Sequence, residues 1–479
     1  MPRVAVLGLD SAPPALFFHR YRSEMPNLER LMRSGLVAHL ESTNPPITVP
    51  AWTSMMSSKD PGQLGFYGFR NRKDYSYDGY QFANGALVRE PLVWDVLGRH
   101  GKRSILLGVP QTFPPRPIEG EMVTCFLTPS TESAYTYPAS LKPEVERVTD
   151  GYVLDVDDFR TSDKQALLGR IHEKTRKHWT LAKHMLRTRR WDFFMIVEMG
   201  VDRIHHAFWS YCDPAHHKYV AGNPWENVLR DYYRYLDREI GEVLELLGDD
   251  TIVLVVSDHG SKKMDGGICI NEWLIANGYL TLIEQPAAPT PIGKAKIDWS
   301  RTRAWGDGGY YGRLFLNVRG REPQGTIDPA DVERVRGELT AAIEAITDPS
   351  GRNIGSKVHR PEDVYRATRG VPPDLIVYFG DLDWRSVGSV GGGSIHTFEN
   401  DTGPDESNHD WHGIFVMNDP RRPRPEPDLG SLPVFRIYDV APTVLAAMGI
   451  PVPDDMIGRA LVEPVAESPW RRLWKRFSG

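Results

Sequence analysis

The 479 residues are 25% charged and 41% hydrophobic, with 13 Trp, a balance that fits a globular chain and excludes a disordered or fibrous one. A formal net charge of -6 gives no electrostatic reason to expect a nucleic-acid partner. The three cysteines, Cys125, Cys212 and Cys269, are isolated from one another, which excludes a disulfide scaffold and a cysteine-rich zinc module.

In chain order, the first apolar run, 4–9, is too short for the core of a secretory signal and reads as a buried strand ending at Asp10, so a cytoplasmic protein is expected. A helix is predicted over 25–34, followed by the proline-rich segment 44–53, which enters a helix near Pro50 or Ala51. Thr48 sits in that entry, and Thr53 and Ser54 are further hydroxyls within the helix. Helix 91–100 and strand 104–109 come next, then helix 164–188 and strand 193–197, which leads to Asp202 and His206. Helix 224–247 precedes strand 251–256, which ends at Ser257-Asp258-His259-Gly260. No apolar run approaches the roughly 18 residues of a membrane span.

Strands alternating with helices predict an α/β fold, a mostly parallel sheet sandwiched by helices. A smaller subdomain is expected over 286–363, from strand-like runs at 303–306 and 313–318 and a helix at 329–347. It is inserted in a core made of 1–285 and 364–465, which takes a further strand at 374–379. The stretches 285–291, rich in Pro and Ala, and 388–393, rich in Gly and Ser, read as loops, as does the Pro-rich 420–433. At 466–479 a basic amphipathic helix is expected, with Trp470, Leu473, Trp474 and Phe477 on one face. It suits peripheral contact with anionic lipid, or docking on the protein's own core or a partner subunit.

Ligands of such sheets gather beyond the carboxyl ends of the parallel strands. Taken singly, an aspartate there is more often a turn residue or a helix cap. Here three strand ends deliver Asp10, then Asp202 with His206, then Asp258 with His259. Carboxylate and imidazole suit Zn²⁺ and related divalent ions, and two such ions clamp the attacking and leaving oxygens of phosphoryl transfer. Asp202 and His206 are four apart and share a helix face, whereas His205 points elsewhere. A phosphate at the helix entry beside Thr48 would meet free N–H groups, although Thr48 on its own reads rather as a structural residue or a cap.

The sequence resembles the alkaline phosphatase superfamily, specifically its type I phosphodiesterase/nucleotide pyrophosphatase branch and the related bacterial and archaeal phosphohydrolase or phosphomutase group. The resemblance is carried by VLGLDSAPP (6–14), MPNLERLMRSG (25–35), PPITVPAWTSMMSSKDPGQLGFYGF (45–69), VDRIHHAFW (201–209), SDHGSKKMDGG (257–267), SNHDWHGIF (407–415) and IYDVAPTVLAAMGIPVPDDMIGR (437–459). It implies an alkaline-phosphatase-like fold and two divalent metal ions, Zn or alternatively Mn. One ion would be held by Asp10, Thr48, Asp258 and His259, and the other by Asp202, His206 and His409. His409 is taken rather than His412 because the family's ligand lies four residues before the Gly-Ile pair, here Gly413-Ile414. Thr48 would be the nucleophile. The sulfatase branch is disfavoured, because Thr48-Val49-Pro50-Ala51 lacks its Cys/Ser-x-Pro-Ser-Arg pattern. Many nucleotide pyrophosphatases carry Asn where this chain has Ala51, so a phosphate donor must come from elsewhere.

The expected activity is therefore a two-metal phosphodiesterase acting through a covalent phosphothreonine, on a small-molecule or lipid-linked phosphoester. A phosphomonoesterase, or a phosphotransferase or phosphomutase using the same site, is the alternative, and a non-catalytic phosphate-binding scaffold is a third reading. A monoester site usually adds a cationic clamp. Arg70, Arg72, Lys262 and Lys263 are available for one, or are solvated surface charges. Trp52, Tyr67, Tyr310 and Tyr311 line a pocket or belong to the core.

Overall fold

The computed structural model describes residues 2–463, so the helix expected at 466–479 lies outside the described residues. Nine strands form the main sheet: β1 (Val4–Leu9), β2 (Leu36–Glu41), β3 (Ser104–Leu107), β4 (Gly120–Val123), β5 (Thr136–Tyr137), β6 (Phe193–Glu198), β7 (Ile252–Val256), β8 (His412–Asn418) and β9 (Val434–Arg436). Their spatial order is β9-β2-β8-β7-β1-β6-β3-β4-β5. The central strands β7, β1, β6 and β3 run parallel, while β8 enters antiparallel between β2 and β7.

Alternation along β1 decides which face each residue serves. Ala5, Leu7 and Leu9 join one apolar core with helices Pro26–Arg33, Lys164–Thr188, Gly200–Cys212 and Val228–Leu247. Val4 and Val6 join another with Thr48–Ser57, Val93–Arg99 and Val440–Ala447. Because helices cover both faces, the strands read as continuous apolar runs, as parallel strands do. The long helix Lys164–Thr188 is capped by Asp163, whose carboxylate accepts from the Ala166 N–H at 3.1 Å.

A third apolar core draws on residues from Ile268 to Val390. It backs a four-stranded antiparallel sheet in the order Ala304–Asp307, Gly312–Leu316, Leu375–Tyr378, Lys357–His359. The strand read at 374–379 is thus part of this smaller sheet and not of the large one. An apolar run of that length has no feature that chooses its partner, and the choice falls to antiparallel pairing with Gly312–Leu316. Another short pair, Gly260–Lys263 with Ser407–Asp410, sets Ser261 opposite His409 and ties the segment before β8 to the strand end after β7.

Candidate active site

Asp10 follows β1 directly, and the next residue, Ser11, has a left-handed backbone with φ 66°. That turn points the Ser11 N–H at Asp258, whose Oδ1 accepts it at 3.1 Å. The other oxygen of Asp10, Oδ2, accepts from the Trp52 indole Nε1 at 2.7 Å. Trp52 lies this close to β1 only because residue 8 is glycine: a Cβ there would stand 2.6 Å from the indole. Asp258 and His259 leave β7 in a sharp turn. His259 Nε2 lies 3.2 Å from Asp258 Oδ2 and 3.9 Å from Asp10 Oδ1.

From β6 the chain passes into helix Gly200–Cys212, where Asp202 and His206 share a face and His206 Nε2 is 3.1 Å from Asp202 Oδ1. His409, delivered by the short strand pair, places its Nε2 4.0 Å from the same oxygen. Its ring stacks on that of His259, with centroids 3.8 Å apart, so the two trios abut. Thr48 stands at this junction, its Oγ1 3.3 Å from His259 Nε2. Its helix begins at Thr48, two to three residues earlier than the sequence suggests. Pro50 interrupts nothing, because first-turn N–H groups have no intrahelical acceptor.

The three imidazoles are oriented alike. Nδ1 of His259 bonds the Gly260 carbonyl at 3.0 Å, that of His409 the Pro46 carbonyl at 2.8 Å, and that of His206 the Asp405 carboxylate at 2.7 Å. These acceptors only accept, so each Nδ1 carries the proton; in the neutral rings of His259 and His409 Nε2 presents a lone pair, whereas burial works downward on His206 but Asp405, Tyr310 and Asp202 prevail and push it well above its ordinary value. His205 instead bonds two hydroxyls, of Ser261 and Tyr233, and is held down to about 3, chiefly by burial.

The two trios are fully buried, and four of their polar atoms, Asp10 Oδ1, Asp258 Oδ2, Asp202 Oδ1 and His206 Nε2, have no hydrogen-bond partner. Burial, and then the neighbouring carboxylates, push Asp10 and Asp258 well above the usual carboxylate range. Burial also works upward on Asp202, but His206 and Arg203 prevail and hold it well below that range. Burial keeps His259 down to about 4 and His409 well below its ordinary value. A buried set of partnerless oxygens and inward lone pairs is costly alone and fits divalent cations. Asp10, Asp258 and His259 form one candidate metal group, and Asp202, His206 and His409 the other.

A cavity of about 390 Å³ opens on Thr48, Asp202 and His409. Tyr310 and Tyr311 line it, and Tyr310 stacks on His409 with centroids 4.0 Å apart, whereas Trp52 and Tyr67 are buried in the core. Of the proposed cationic residues, only Arg70 reaches this cavity. Arg72 is buried against Glu322, Lys262 bonds Asp383, and Lys263 pairs with Asp265. Thr53 donates to Val49 O and pairs with Gln111, and Ser54 is buried. His412 is half-buried and packs edge-on against His39.

Sequence reasoning missed four arginines and three carboxylates around the site. Arg203 lies between Asp155, at 2.7 Å, and Asp202. Arg160 and Arg385 both pair with Asp405, at 3.2 and 3.1 Å, and Arg313 pairs with Asp307 at 3.1 Å. Asp405 is three residues from Asn408-His409 in an acidic loop, and its only sequence signal is that proximity.

An α/β sheet with helices on both faces and acidic and imidazole groups at its central strand ends defines an alkaline-phosphatase-like protein. The sequence matches the family described as type I phosphodiesterase / nucleotide pyrophosphatase over residues 4–413, and the chain belongs to that family of phosphoester hydrolases. None of the curated proteins compared with it matches in sequence. Among solved structures, human ectonucleotide pyrophosphatase / phosphodiesterase 5 is similar at TM-score 0.55 and 13% identity, covering 97% of each chain. Phosphonoacetate hydrolase from Sinorhizobium meliloti, in complex with phosphonoformate, is similar at TM-score 0.59 and 16% identity, covering 92% of this chain and 94% of its own. The murine ectonucleotide pyrophosphatase / phosphodiesterase 5, an inactive variant in complex with AMP, gives TM-score 0.55 at 12% identity, covering 95% and 96%. Among the described residues no helix is long and apolar enough to cross a membrane.

Proposed function

We propose that the protein is a two-metal-dependent phosphodiesterase acting through a covalent phosphothreonine at Thr48. The observation that carries this reading is the convergence of two buried ligand trios, with four partnerless polar atoms, on one threonine hydroxyl. Asp10, Asp258, His259 and Thr48 would hold one ion, and Asp202, His206 and His409 the other, zinc or alternatively manganese. Such ions supply acidification of the threonine hydroxyl and neutralisation of charge on the phosphoryl oxygens.

Thr48 Oγ attacks phosphorus, the bond to the leaving oxygen breaks, and a phosphothreonine forms. Water then attacks the same phosphorus, the bond to Oγ breaks, and configuration at phosphorus is retained overall. The first-turn N–H groups of Thr48 and Val49, which have no acceptor within their helix, would serve the non-bridging oxygens in place of the Asn side chain that Ala51 lacks. The smaller sheet contributes Arg313, and the turn before its strand Gly312–Leu316 contributes Tyr310 and Tyr311, to the lining of the cavity.

Charge balance favours a diester over a monoester. Arg203, Arg160, Arg385 and Arg313 are each paired with a carboxylate, which leaves Arg70 as the cavity arginine without an ion-pair partner among the described residues. A dianionic monoester would find little uncompensated positive charge beyond the metals. The test is hydrolysis of bis-p-nitrophenyl phosphate beside p-nitrophenyl phosphate, with Zn²⁺ or Mn²⁺, by wild type and Thr48→Ala. Diester turnover falling at least about a thousandfold in the variant supports the reading. Monoester preference overturns the diesterase assignment, and transfer of phosphate to an added alcohol in place of release assigns the site to a transferase or mutase. A cytoplasmic location belongs to the same proposal, with a small-molecule or lipid-linked phosphoester as substrate.

A further inference from the structure

The cavity over Thr48 does not end at the arginines. Arg70, Gly308, Gly309, Arg385 and Thr402 border it and also border a second chamber of about 490 Å³ on the side of the smaller sheet. These shared residues form a neck. Arg385 is fixed there by Asp405, whereas the exposed Arg70 side chain makes no hydrogen bond or ion pair with another described residue.

Beyond the neck the lining turns aromatic. Tyr77 and Trp299 stack in parallel, with centroids 3.7 Å apart, and Trp305 stands edge-on to both. The Tyr77 hydroxyl is pinned, donating to Asn317 Oδ1 at 2.8 Å and accepting from the Gln324 N–H at 2.9 Å. Tyr80 extends this wall, Pro289, Pro291 and Ile292 add further apolar lining, and Lys294, Asp307, Ser389 and Asp401 bring polar groups to the rest of the chamber. That proline stretch is held in place by strand pairing of Thr290–Pro291 with Ser389–Val390, so the two loop-like runs of the sequence close on each other. The interlocked rings are thus preformed, and they give one side of the chamber a flat apolar surface.

We propose that this chamber is a second substrate subsite, which takes a flat ring carried by one ester group of the phosphodiester. The ring lies against the aromatic wall, and Arg70 at the neck bonds oxygen atoms on the segment that joins ring to phosphorus. The inference rests on the diesterase reading and deepens it, because only a diester presents a second ester group to reach the chamber while the first departs.

The test compares p-nitrophenyl ethyl phosphate with p-nitrophenyl naphthyloxyethyl phosphate on the metal-loaded full chain. Wild type is expected to prefer the naphthyl diester by about tenfold or more in kcat/KM. Ile292→Trp, which fills the chamber, and Tyr80→Ala, which removes part of its wall, should each bring that ratio toward one. In a second arm, the affinities of both diesters for Thr48→Ala and for Thr48→Ala combined with Ile292→Trp are read by calorimetry. Tighter binding of the naphthyl diester should appear only with the chamber open. A wild-type ratio near one, or a ratio that survives both variants, overturns the subsite. If neither diester turns over, the diesterase reading fails, and the calorimetric arm alone decides the chamber.

Discussion

The two ligand trios sit within one ring stack of each other, yet their surroundings are opposed. Around Asp10, Asp258 and His259 no Lys or Arg among the described residues makes an ion pair, and the two carboxylates accept from the Trp52 indole and the Ser11 N–H. Around Asp202, His206 and His409 the chain supplies its own compensation: Arg203 on Asp202, and Asp405 on His206. The first trio is therefore an excess of buried negative charge that waits for a cation. The second is a more nearly compensated network, in which Asp202 Oδ1 and His206 Nε2 still lack a hydrogen-bond partner. In the structure this difference shows as carboxylates pushed up in one trio and held down in the other.

Chelation is the broadest way to test that contrast. Stripping metal with a strong chelator should abolish turnover and lower the melting temperature, and readdition of Zn²⁺ or Mn²⁺ should restore both. Metal analysis during graded chelation should show the two equivalents leaving in separable steps. Simultaneous loss, with no intermediate stoichiometry, would speak against two electrostatically distinct centres.

Asp405 sharpens the contrast from the second side. Its Oδ1 fixes the Nδ1 proton of His206, and its Oδ2 takes Arg160 and Arg385. Asp405→Asn should weaken one metal equivalent by about 10- to 100-fold, as loss of an orienting carboxylate does elsewhere, while the other equivalent keeps its affinity. Competition with a metal-binding dye reads this without any substrate. Equal weakening of both equivalents would show a general loss of structure instead.

How far this site was legible in the sequence follows from how each residue is held. Asp10, Asp258 and His259 leave apolar runs of five or six residues, and Asp202 and His206 repeat at helical spacing; both are patterns a linear reading detects. The helix at 164–188 was legible to the residue, because it has a capping Asp163 and an unbroken periodic face. His409 and Thr48 needed the family resemblance, since one is placed by a strand pair across the chain and the other by a proline-rich entry. β2 and β8 were not read at all: β2 is interrupted by His39 and ends at Glu41, and the two strands find each other by antiparallel pairing between residues far apart in sequence. Asp405, Arg160, Arg203 and Arg385 meet only in three dimensions. Arg203 even contacts its neighbour Asp202, a spacing that on a helix does not ordinarily bring side chains face to face.

Paired substitutions in the metal-free protein give a smaller effect, but one of opposite sign in the two trios. Asp258→Asn removes like-charge repulsion from Asp10 and should raise apo stability by about 1 kcal/mol, although it forfeits a metal ligand. Asp202→Asn strips Arg203 and His206 of their shared carboxylate and should lower apo stability by about 1–3 kcal/mol. Urea unfolding of both variants under chelation reads the two signs directly. Two changes of the same sign would remove the electrostatic distinction between the trios.

The smallest expected effect comes from His412, the other histidine of the same short segment. It lies beyond the strand pair that carries His409, half-buried, with its ring edge-on to His39 at 5.8 Å between centroids. The tight contact at this position is made by backbone: a Cβ on Gly260 would fall 2.3 Å from the His412 carbonyl oxygen, so the glycine and not the imidazole lets the chains approach. His412→Ala should therefore keep both metal equivalents and change kcat/KM by less than about threefold, while His409→Ala loses one equivalent. If His412→Ala loses the metal and His409→Ala keeps it, the second trio has been drawn with the wrong histidine, and the stack of His259 on His409 would be packing rather than the join between the two centres.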